Sequence, residues 1–127
     1  MKIPEEIKSL KGLLDKLKKE RKILLAYLYG SYAGERQHKR SDIDLAVYLS
    51  AADEKERTNI LDSILMTSDK QINILMLDDE DESPFVIQEA LKGIPLIDPD
   101  LEMLYSVAHN ALHEAENIRY KRAIASV

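Results

Sequence analysis

Ile7, Leu10, Leu13, Leu14 and Leu17 recur at intervals of three and four residues, so one apolar stripe runs from Pro4 to about Glu20. That spacing predicts an amphipathic helix, with Pro4 in its first turn, where a missing N–H does no harm. The period then changes. "KILLAYLY" (22–29) is apolar almost throughout until Gly30 stops it, the pattern of a strand buried on both faces. "DIDLAVYL" (42–49) predicts a second strand, with Ile43, Leu45, Val47 and Leu49 on one face. Ser50 is the expected cap of the next helix, Asp53 its box partner, and Ile60, Leu61, Ile64 and Leu65 its apolar stripe. "QINILML" (71–77) predicts a third strand, followed by the acidic turn "DDEDES". Ser83-Pro84 then starts a helix that Gly93 ends, and "IPLI" (94–97) is a candidate edge strand. Asp98-Pro99 opens a last helix to about Ala125, with Leu101, Leu104, Tyr105, Ala108, Leu112, Ala115 and Ile118 at helical spacing. At 1.5 Å per residue it would be on the order of 40 Å long, more than one small sheet covers, so part of its face is available to a partner or to a homo- or hetero-oligomer.

Helices alternating with strands, without internal repeat or linker, predict an α/β (α+β) unit, and 127 residues predict a single domain over 1–127. Composition narrows the function classes. There is no cysteine, which excludes disulfides and thiolate zinc sites and makes a cytoplasmic location the expectation. No apolar run reaches the roughly 18 residues of a membrane span, and "MKIPEEIKSL" lacks the apolar core of a secretory signal. The net charge of −5 argues against a general nucleic-acid binder. Any phosphate must therefore be gripped locally.

The stretch "LYGSYAGERQHKRSDIDLAVYL" offers such a grip. Side chains alternate along a strand, so Asp42 and Asp44 project to the same side. Two carboxylates there repel unless a positive charge sits between them. A divalent cation with oxygen ligands answers that need, and Mg²⁺ is commonly held by one or two carboxylates plus substrate phosphates. Gly30 and Ser31 end the first strand and open a short helix; glycine admits a close ligand, and N–H groups at a helix start favour phosphate. Arg36, Lys39, Arg40 and Ser41 add cations and a hydroxyl for a polyphosphate tail. Together these predict a site for a metal-bound nucleoside triphosphate.

The spacing G-S-x10-D-x-D in so short a chain resembles the minimal nucleotidyltransferases of the DNA polymerase β superfamily, in particular the MNT-type antitoxins paired with HEPN-domain ribonuclease toxins. The likeness extends over the leading helix, the third strand, "GIPLID" and the long last helix ending in "IRYKR", although only Gly30 to Asp44 is specific. It implies a mixed sheet of three to four strands flanked by helices, with a long C-terminal helix. It also implies Mg²⁺-dependent transfer of AMP from ATP to a tyrosine of a HEPN toxin, with Gly30 and Ser31 on the triphosphate and Asp42 and Asp44 on metal. One position departs. The family places a third carboxylate on the next strand, and here Asn73 of "INILML" stands there, a residue that is no general base. Asp78 and Asp79 are substitutes only if that strand ends early. The alternatives are a catalytically weak member that neutralises the toxin by binding alone, and a nucleotidyltransferase with a small-molecule acceptor.

Other residues carry less. His109 and His113 share a helix face at i, i+4, with no third ligand evident, and His38 is expected in a solvated basic loop. The "DDEDE" run is expected to be a solvated turn, with docking to a basic partner surface as its other use. Tyr32 follows Ser31 and is a candidate for the wall of the nucleotide pocket.

Overall fold

The computed structural model describes residues 5–32 and 42–125. The leading apolar stripe forms helix α1 (Lys8–Lys19) after a 3₁₀ turn at Glu5–Ile7. Ile7, Leu10, Leu14 and Leu17 are buried along it, and each contributes on the order of 1.5–3 kcal/mol of apolar burial. Pro4 lies outside the described residues. α1 ends in a Schellman turn: Arg21 takes φ +59, its N–H donates to the Lys18 carbonyl, and the Lys22 N–H reaches back to that of Leu17. This reversal feeds the chain into strand β1 (Ile23–Tyr29), most of which is buried on both faces.

Strand β2 (Ile43–Leu49) pairs antiparallel with β1, and β3 (Ile72–Met76) pairs parallel with β2. β4 (Ile94–Pro95) is a two-residue edge strand antiparallel to β1, giving the order β3-β2-β1-β4. The parallel β2–β3 connection requires a crossover, which helix α2 (Glu54–Leu65) supplies. Helix α3 (Pro84–Leu91) leads into β4, and helix α4 (Leu101–Ala125) closes the described chain. The mixed sheet between helices agrees with the expected α/β architecture, including the edge strand and the long last helix.

Two apolar layers cover the sheet. On one face Ile43, Leu45, Val47 and Leu49 of β2 pack with Ala26 and Leu28 against Leu10, Leu14, Ile60 and Ile64 of α1 and α2. On the other, Leu25, Tyr27, Ala46 and Leu75 meet Ile87 and Ala90 of α3 and Val107 and Ala111 of α4. Gly93 lets the turn after α3 lie on β1, because a Cβ there would stand 2.2 Å from the Leu28 carbonyl oxygen. Phe85 of α3 stacks under Arg119 and Arg122 of α4, at 5.2 and 5.9 Å from the ring centre, which joins the two outer helices.

Two expected helix starts are displaced. α2 begins after Asp53, not Ser50: Asp53 is extended (φ −148, ψ 171) and accepts the Glu56 N–H at 2.8 Å. Asp53 and Glu56 are therefore themselves spaced as a capping box, with the Glu56 carboxylate turned back to the Ala52 N–H at 3.4 Å. α4 begins after Asp100 rather than at Asp98-Pro99, since Asp100 accepts the Met103 N–H at 2.8 Å. In both places several possible caps stand close together, and the one whose carboxylate meets a free N–H serves.

Candidate active site

β1 runs antiparallel to β2 and β3, so its C-terminal end lies beside the N-terminal ends of the other two. Tyr29 pairs with Asp44, and Asp44 with Asn73. Asp42, Asp44 and Asn73 consequently stand at one end of the sheet, where β2 and β3 begin, on the face that α3 and α4 cover farther along. Asp42 is exposed, while Asp44 and Asn73 are half-buried. Small Ala46 and then Tyr48 continue the same face of β2 into the core, and Leu75 and Leu77 continue that of β3. The polar positions begin where the helical cover stops.

Asn73 lies between the two carboxylates. Its Nδ2 donates to Asp44 Oδ1 at 3.1 Å and, more weakly, to Asp42 Oδ2 at 3.5 Å. Its Oδ1 accepts from Gln71 Nε2 at 2.9 Å. Carboxylates only accept, so the amide must turn its NH₂ end toward them. The partial positive charge of that end stands where a cation would neutralise the pair. This donor set suits a hard divalent ion: two carboxylates on one face and an amide oxygen one rotation away. Among the described residues, no group of three or more His, Asp, Glu or Cys side chains is placed to hold a metal, so two carboxylates are the limit of the charged set.

Gly30 follows directly. Its φ is +71, and a Cβ would stand 2.4 Å from Asp44 Oδ2, so both its conformation and its neighbour exclude a side chain. Gly30→Ala is expected to push the Asp44 carboxylate off Asn73 and to weaken triphosphate binding about tenfold, while α1 and the core stay folded. Titration with ATP alongside circular dichroism checks this; unchanged affinity would remove Gly30 from the site. Tyr29 is half-buried beside Asp44, and burial, then the negative charge of Asp44 and of Glu82, raises its pKa, which keeps the phenol neutral. Beyond Gly30 an open cleft of about 660 Å³ is lined by Tyr29, Phe85, Val86, Glu89, Lys92 and Gly93.

Several expected site residues are not placed by these contacts. Arg36, His38, Lys39, Arg40 and Ser41 lie outside the described residues, and of Ser31 only the backbone, in the 3₁₀ turn Gly30–Tyr32, is described. Tyr32 does not line a nucleotide pocket: it is 3% exposed, in the apolar layer on the opposite face, with the Lys70 ammonium 5.7 Å from its ring centre. Asp78 and Asp79 cannot replace Asn73. The strand runs to Met76, three residues and roughly 10 Å beyond Asn73 at about 3.3 Å per residue, so Asp78 and Asp79 follow its opposite end. Asp78 is instead paired with Arg57 of α2 at 3.2 Å. Asp79, Glu80 and Asp81 are exposed, as expected of a solvated turn. His109 and His113 stack on the exposed side of α4, 6.5 Å apart. No motif in the sequence marks Gln71 or Tyr29 as a site residue. Gln71 was findable, because a residue two before Asn73 shares its face when the strand pattern is carried one step further.

The family described as "Polymerase beta, Nucleotidyltransferase" matches residues 11–102, well over half of the chain. The chain belongs to that family. Solved structures share the nucleotidyltransferase fold. One is a toxin–antitoxin crystal structure with AMP-PNP, at TM-score 0.67 and 22% identity over 91% of this chain and 94% of that one. Another is the tri-AMPylated Shewanella oneidensis HEPN toxin in complex with its MNT antitoxin, at TM-score 0.61 and 19% identity over 91% and 92%. The toxin–antitoxin complex MntA–HepT matches at TM-score 0.61 and 18% identity, covering 92% of each chain. No curated protein matches the sequence significantly.

Proposed function

We propose that this nucleotidyltransferase is an MNT-type antitoxin, a single domain that transfers AMP from ATP to a tyrosine of a cognate HEPN toxin and so neutralises it. The observation that carries the reading is the convergence of Gly30, Asp42, Asp44 and Asn73 at one end of the sheet, in a family that performs nucleotidyl transfer. Structures of the same fold include an AMP-PNP complex and an AMPylated HEPN toxin, which favours ATP as donor and a HEPN protein as acceptor.

In this reading Asp42 and Asp44 hold Mg²⁺, which when bound neutralises triphosphate charge and polarises the α-phosphate. Gly30 lets the phosphates approach the backbone, and Ser31, Arg36, Lys39, Arg40 and Ser41 complete their grip. The acceptor hydroxyl attacks the α-phosphorus, a new P–O bond forms, and pyrophosphate leaves. Asn73 can orient that hydroxyl but cannot take its proton, so the proton passes to water and transfer is slow. The partner reaches the site along α4, whose Leu101, Tyr105 and Leu112 are more than half exposed and lie on one side of the helix.

Incubating the protein with α-³²P-ATP, Mg²⁺ and the product of its neighbouring gene tests this. Label is expected on the partner, absent with Asp44→Ala and absent when the acceptor tyrosine is Phe. A partner silenced without any label would favour the second reading, neutralisation by contact, which the missing third carboxylate supports.

A further inference from the structure

We propose that Gln71 is a positioning residue that sets which end of the Asn73 amide faces Asp42 and Asp44, and thereby how readily that pair accepts a divalent cation. The inference rests on the reading that the pair holds the metal, and it goes beyond that reading by assigning control to a residue outside it.

The hydrogen bonds form one directed chain. Gln71 Nε2 donates to Asn73 Oδ1 at 2.9 Å, and Asn73 Nδ2 donates onward to Asp44 at 3.1 Å and Asp42 at 3.5 Å. Each link fixes the polarity of the next, because an amide offers donors at one end and acceptors at the other. In this polarity the site is neutralised from within, and N–H groups occupy the side from which a cation must approach. A cation between the carboxylates needs the opposite polarity, with Asn73 Oδ1 turned toward it. The terminal torsion of an amide side chain is broad and roughly two-fold, so the rotation itself is easy. Its consequence is not local. A rotated Asn73 points its NH₂ at the NH₂ of Gln71, donor against donor, until Gln71 rotates as well and presents Oε1.

The two amides therefore turn together or not at all. Gln71 is free to do so: it is exposed, at the start of β3, and its backbone is anchored separately through its carbonyl to the Ile43 N–H at 2.9 Å. A residue that only accepts at position 71 is satisfied in the cation-ready polarity alone. A residue that only donates is satisfied in the self-neutralised polarity alone. Position 71 thus biases the metal site without touching the metal.

The experiment is a double-mutant cycle on Mn²⁺ affinity, measured by electron paramagnetic resonance on the intact protein. Gln71→Glu is expected to tighten Mn²⁺ binding and Gln71→Lys to weaken it. Charge alone gives those signs, so both are repeated in an Asn73→Ala background. There the effects are expected to shrink by roughly three- to tenfold, the equivalent of one ordinary hydrogen bond. Equal effects in both backgrounds overturn the proposal and leave the metal reading intact. Mn²⁺ binding that ignores Asp42→Ala and Asp44→Ala overturns the metal reading, and this proposal with it. Nuclear magnetic resonance on the unmodified protein gives a second readout: the side-chain NH₂ signals of Asn73 and Gln71 are expected to move with one midpoint on Mg²⁺ addition. An Asn73 signal that stays still at saturation overturns the coupled rotation.

Discussion

Asp44→Ala is expected to abolish nucleotidyl transfer, and Asp42→Ala nearly so. Removing one of two carboxylates from a Mg²⁺ site forfeits several kcal/mol of charge stabilisation, on the order of a thousandfold in rate. The effect on folding is small. Relief of carboxylate repulsion is offset by loss of the 3.1 Å bond from Asn73, whose amide would keep only Asp42 at 3.5 Å. The net change is about 1 kcal/mol or less in either direction. Label transfer measured beside thermal denaturation separates the two effects. Transfer that survives Asp44→Ala within a few-fold would remove the metal role from this pair.

Asn73→Asp is expected to act in the other direction on rate and against the fold. Asn73 stands on β3 opposite Asp44, and in the proposed reading an aspartate there supplies a base beside the acceptor hydroxyl. A positioned general base is worth roughly 10²–10⁴-fold, and the lower end is expected here, since in the proposed mechanism water takes the proton. The price is the loss of both donated bonds and a third negative charge among the same atoms. Metal-free Asn73→Asp should therefore be less stable by about 1–3 kcal/mol, and Mg²⁺ should return most of that. Melting curves with and without Mg²⁺, together with single-turnover transfer, give both numbers. A variant no faster than an active wild type, and no more responsive to Mg²⁺, would show that position 73 takes no part in the chemistry.

Much of this was legible in the order of residues because it depends on local periodicity. Strand alternation alone put Asp42 and Asp44 on one face, away from Ile43, Leu45 and Val47. The three-and-four spacing of Ile7, Leu10, Leu14 and Leu17 named the buried face of α1, and the length of α4 foretold its exposed side. The pattern was weaker where several residues of one chemical type compete. Ser50 lost its cap to Asp53, and Asp98 to Asp100, because capping depends on which side chain the turn brings to a free N–H. Tyr32 was misread for a related reason. Its neighbourhood to Ser31 in sequence says nothing about which side of the sheet a 3₁₀ turn delivers it to, and it is delivered to the core.

What the sequence determined by itself is the set of elements, the facing of side chains along each strand, and the family-specific Gly30 to Asp44 stretch. These follow from steric periods of two and 3.6 that each segment carries within itself. Only the tertiary structure decided the register between strands. That register pairs Asp44 with Asn73, brings the two carboxylates under one amide, and removes Asp78 and Asp79 to the far end of the sheet. Pairing is a property of two segments and of the core they jointly bury, where a slip of one residue would exchange the faces. No single segment can specify it.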